Sequence, residues 1–165
     1  MQKNPKTGQL QVRVSPSQKL AIKMQAARAR MSMSEWILSK VLPSSEMSFK
    51  SLIEDLAASD KPSYVFAELL ELTDSMDADE FEQAVSEPPG VQLDPYWQNY
   101  LAATVEHAAA VKHAKVPSWT RDVAPLDKPV FGSSLESLKL HLLVNSPPAF
   151  IQRDIFIDSS VGKRV

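Results

Sequence analysis

Side chains able to do acid–base or metal chemistry are few in this chain and poorly spaced. The histidines are His107, His113 and His141. Glu106-His107 could open a two-histidine metal helix, but the next histidine falls six residues on and on another face, where that geometry needs four. Asp74, Asp77 and Asp79 lack the glycine and the spacing of a calcium loop. The four glycines, Gly8, Gly90, Gly132 and Gly162, are too scattered to cradle a phosphate, and there is no cysteine for thiolate chemistry. No serine stands in a nucleophile elbow. These residues predict no enzyme, no catalytic residue, no metal and no cofactor. A different row is better placed. Gln9, Gln11 and Arg13 alternate with Leu10, Val12 and Val14, which sets two amides and a guanidinium on one face of a strand and three apolar groups on the other.

The elements that must hold this row can be read from its neighbours. Ser15-Pro16-Ser17-Gln18 is a helix start, with Ser15 as N-cap, Pro16 at the first helical position and Gln18 closing a capping box. Leu20, Met24, Ala27 and Met31 then recur as one apolar stripe, with the mostly basic Lys19, Lys23, Ala26 and Arg30 beside it. Ser32-Met33-Ser34-Glu35 forms a second capping box, Met33, Trp36, Ile37 and Val41 form a second apolar face, and Pro43 ends it. The order is strand, helix, tight turn, helix. One six-residue strand leaves its backbone groups unpaired, and no second strand lies nearby. The simplest repair pairs it with the same strand of a second copy across a two-fold axis.

Charge divides the chain. Of 165 residues, 18 are Lys or Arg and 20 are Asp or Glu, for a net −2. Met1–Leu42 holds eight bases and one acid, a net +7; Pro43–Val111 holds two bases and fourteen acids, a net −12; Lys112–Val165 holds eight bases and five acids, a net +3. A basic head suits a polyanion, and an acidic body suits something else. No apolar run reaches the roughly 18–20 residues of a membrane span, and the polar start has no apolar signal region. The expectation is a cytoplasmic protein with a domain at 1–43 and a mainly helical domain at 44–165.

Within the second domain, Phe49, Leu52, Ile53 and Leu56 mark one helix, and Phe66, Leu69 and Leu70 mark another after Pro62-Ser63. Asp77–Val85 is a short third. Asp94-Pro95 caps a long, Ala-rich fourth in which Trp97, Leu101, Thr104, Ala108 and Val111 share a face. Past Pro117 the chain reads as proline-punctuated loops with one helix near Ser134–Val144. Its terminal run, Ile151–Ile157, reads as an edge strand or an extended docking segment.

The N-terminal block resembles the ribbon-helix-helix (Arc/MetJ/CopG) family of DNA-binding proteins. The resemblance is carried by Gln9-Leu10-Gln11-Val12-Arg13-Val14-Ser15-Pro16 and Met31-Ser32-Met33-Ser34-Glu35-Trp36. It implies a mainly α dimer whose paired strands enter the major groove, with Gln9, Gln11 and Arg13 reading bases and Leu10, Val12 and Val14 facing the dimer core. Gln suits adenine and Arg suits guanine, each good pair discriminating by about 1–3 kcal/mol. The resemblance also implies a phosphate at the second helix's start, on Ser32, Met33 and Ser34, with Lys3, Lys6, Arg28 and Arg30 adding sequence-independent attraction. Where the family often has glycine between the helices, this chain has Arg30-Met31. The bland alternative makes the polar row the solvated face of an edge strand.

A basic dimerising head on a larger body resembles an antitoxin that binds operator DNA, represses its own operon and neutralises a protein toxin. The stretch from Trp119-Thr120-Arg121 to Asp158 is loosely similar to tails of antitoxin-like regulators paired with nucleotidyltransferase-type toxins. That likeness implies toxin contacts at Phe150, Ile151, Arg153, Ile155 and Phe156, in the manner of a docked strand. The alternatives are that this run covers the body's own core and that the acidic face only aids solubility. A transcriptional regulator whose body senses a small effector or oligomerises is the rival function.

Overall fold

The structure, a computed structural model, describes residues 11–41 and 44–158. The expectations at Lys3, Lys6, Gln9, Leu10 and Pro43 lie outside the described residues. The chain forms two compact units, Met1–Pro43 and Ser44–Val165.

In the first unit, residues 11–14 lie in neither helix nor strand and lead into α1 (Pro16–Arg28). A strand ladder needs a second strand, and the described residues of this unit supply none in one copy. The first cap forms in both directions: the Gln18 amide donates to Ser15 Oγ at 3.2 Å and the Ser15 amide to Gln18 Oε1 at 2.9 Å. After α1 the chain reverses in a Schellman turn, in which the Met31 amide donates to the Ala26 carbonyl at 3.0 Å and the Arg30 amide to that of Ala27 at 3.1 Å. This turn requires a left-handed residue, and Arg30 adopts it with φ 56°. α2 (Met33–Val41) starts on its own reciprocal cap, the Glu35 amide donating to Ser32 Oγ and the Ser32 amide to Glu35 Oε2. α1 and α2 pack on each other, and Ala26 is the buried residue of this unit among those described. Ala26, the uncharged position of the basic stripe, is thus the one that is buried.

The second unit is built around one long helix. α3 (Ser45–Ala58), α4 (Pro62–Ser75) and α5 (Ala78–Ala84) precede α6 (Pro95–Lys112). Asp77 accepts from the Glu80 amide at the head of α5, and Asp94 from the Tyr96 and Trp97 amides at the head of α6. Leu101, Ala102, Ala103, Val105 and Ala109 of α6 are fully buried and share one core with Phe49 and Ile53 of α3, Phe66 and Leu69 of α4, and Phe81 of α5; α4 and α5 touch α6, and α3 packs on α4 and α5. Small alanines let the shorter helices approach α6 closely. The predicted α6 stripe ends early: Val111 is exposed, because the core follows Val105 to Ala109. One turn on, the Lys112 ammonium donates to the Met76 carbonyl at 2.8 Å and so closes the chain beyond α4.

Beyond α6 come a 3-10 turn (Ser118–Asp122), β1 (Val130–Phe131), α7 (Glu136–Asn145), α8 (Pro148–Ile151) and β2 (Ile155–Phe156). β1 and β2 pair in parallel, Val130 opposite Ile155 and Phe131 opposite Phe156, with the two rings stacked at 5.0 Å. Of the two expectations for the terminal run the edge strand is the one that forms, since β2 pairs on one side with β1 in a two-stranded sheet. The run makes one helical turn, reverses through Asp154 at φ 58°, and lays β2 into the core. Among the described residues no helix is long and apolar enough to cross a membrane.

Candidate nucleic-acid interface

Gln11 and Arg13 are exposed on the segment that leads into α1. Arg28 and Arg30, at the end of α1 and in the turn, are exposed as well, and so are Ser32 and Ser34; Met33 is half-buried. The capping box decides what the start of α2 can offer an anion. Of its first amides, that of Glu35 is taken by Ser32 Oγ and that of Trp36 by the Ser32 carbonyl. The Met33 and Ser34 amides have no acceptor within the helix and lie at the positive end of its dipole. The Glu35 carboxylate occupies the Ser32 amide at 3.0 Å, so a phosphate here would be held by two backbone donors beside one acid. Lys19 and Lys23 are also exposed along α1. Their basic stripe was visible in the sequence, yet the expected phosphate set omitted them.

The apolar side of this unit is as exposed as its polar side. Val12, Val14, Leu20, Met24, Met31, Leu38 and Val41 are each between 36% and 66% exposed. They include Val12 and Val14 of the expected ribbon and Leu20, Met24 and Met31 of the α1 stripe, while Trp36 and Ile37 of α2 are half-buried. Water-facing apolar groups at this density, in so short a unit, mark a face that another surface covers.

The expected toxin contacts are placed elsewhere. Phe150, Ile155 and Phe156 are buried, and Ile151 is partly exposed at 38%. Arg153 is 5% exposed. Its guanidinium donates to Glu106 at 2.7 Å, to Asn99 Oδ1 at 3.2 Å, and to the carbonyls of Thr120 at 2.6 Å and Val123 at 3.2 Å. Asn99 in turn donates to the Pro95 and Ala124 carbonyls at 3.0 Å. The docking expectation at Phe150, Arg153, Ile155 and Phe156 is corrected: these side chains fasten the tail to α6 and close the body's own core. The alternative read from the sequence, that this run covers the body's own core, is the one the structure shows; which residues fasten it could not be read, since the partners lie 30 to 54 residues away.

The acidic block is also partly occupied. Of its fourteen acids, Asp77 and Asp94 cap helices, Glu46 and Glu87 pair with Lys50 at 2.9 and 2.7 Å, Glu82 accepts the Lys115 amide, and Glu106 holds Arg153. Among the described residues no group of three potential ligands is placed to hold a metal ion.

No curated protein and no solved structure matches the chain. Residues 4–43, close to the whole first unit, match a family model, and over that span the chain is similar to the NikA-like family, described as mobilization protein NikA.

Proposed function

We propose that the N-terminal unit is a ribbon-helix-helix module that binds DNA as a dimer and serves in DNA mobilization. The observation that carries this reading is the uncovered apolar row of Val12, Val14, Leu20 and Met24 beside the exposed Gln11 and Arg13. A second copy would pair residues 9–14 into an antiparallel ribbon, cover the apolar row, and present two sets of Gln9, Gln11 and Arg13 to the major groove. Met33 and Ser34 would hold a phosphate through their amides, with Lys3, Lys6, Arg28 and Arg30 and the further cations Lys19 and Lys23 supplying attraction independent of sequence. The similarity to a mobilization protein over residues 4–43 supports both the module and the setting.

Toxin neutralisation has weaker support. It rests on the layout of a basic head joined to a larger body and on the exposed acid of α3 to α5, and the tail, which is built into the body, adds nothing to it. The mobilization reading is therefore preferred over the antitoxin one.

The test is a titration of labelled upstream or transfer-region duplexes with the full chain at several salt concentrations. The wild type should select one duplex and lose affinity steeply as salt rises. Arg13→Ala should relax the preference at one base pair by about 1–3 kcal/mol while most of the salt dependence remains. Equal affinity of the two proteins for every duplex would overturn the base-reading role.

A further inference from the structure

We draw no further inference here: the strongest candidate, the open cleft at the head of α6 between the 88–93 loop and the 119–127 segment, carries nothing, because the acids that line it, Asp122 and Asp127, are exposed, no buried side-chain polar atom among the described residues lacks a partner, and nothing in the structure shows what fills it.

Discussion

Arg30 serves two demands that pull apart. The Schellman turn after α1 wants a residue at φ 56°, which costs a non-glycine side chain roughly 1–2 kcal/mol relative to ordinary backbone. A DNA-binding surface wants a cation there. Arg30→Gly should therefore raise the stability of the N-terminal unit by about 0.5–1 kcal/mol, the strain relief being partly offset by the greater freedom of an unfolded glycine. The same change should weaken DNA binding and lower the salt slope by about 1–2, one Arg being lost from each protomer. A denaturation curve and a salt titration of the one variant check both; a fall in stability would contradict the turn assignment. Tyr100 poses a simpler conflict. It is packed edge-on against Phe66 and Phe150, and burial pushes its hydroxyl up to about 12. The unfolded chain ionises near the ordinary value of about 10, so the unfolded state loses its proton first. Stability owed to this group is intact below pH 10 and falls as pH rises from about 10 to 12. Tyr100→Phe should flatten that decline, measured as unfolding midpoints across the alkaline range, and an unchanged slope would show that another group titrates there. Tyr96, also raised by burial and then by Asp94, should account for part of what remains.

At the scale of elements, what could be read from sequence was what depends on neighbours a few residues apart. Ser15, Ser32 and Asp94 announced their helices because an N-cap bonds two or three residues ahead, and Pro16 and Pro95 fit where a helix has no use for the missing amide. The alternation at residues 9–14 reads as a strand with a period of two, yet residues 11–14 lie in no strand in one copy, which has no partner strand beside them among the described residues. The tail was legible only as a choice between docking a partner and covering the body's own core. Ile151–Ile157 has the composition of a strand for docking, and its assignment to the core is decided by Glu106, Asn99 and Thr120, which sequence distance conceals. Arg153 is the residue that fastens it. Arg153→Ala would leave the Glu106 carboxylate, which is mostly buried, without its counter-charge and two backbone carbonyls without a donor. Breaking such a pair costs about 3–5 kcal/mol, so the urea midpoint of the body should fall sharply. Glu106→Gln keeps a hydrogen-bond acceptor and should lose less. Equal losses from the two variants would mean that the charge carries the attachment and the hydrogen bonds add little.

The whole molecule joins two units that must derive their stability differently. The body buries a continuous core around α6 and needs no second copy to fold. The N-terminal unit, with Ala26 buried and seven large apolar residues in water, has too little interior to hold one copy together. Its folding and its dimerisation are then a single equilibrium, and its melting depends on chain concentration. A tenfold change in concentration shifts a dimer equilibrium by about 1.4 kcal/mol. For two such units, the size of a small domain, this moves the midpoint by about 5–10 °C. Calorimetry of the full chain should thus show two transitions. The lower one should climb by that amount per decade of protein and climb again when the selected duplex is added, because the duplex binds only the folded dimer. The upper one should hold within a degree or two across the same series. Leu20→Glu, which puts a charge into the apolar row, should erase the lower transition and the DNA response together and leave the upper transition in place. A single transition independent of concentration would show that the N-terminal unit is held by the body, and the uncovered row of Val12, Val14, Leu20 and Met24 would then need a different cover.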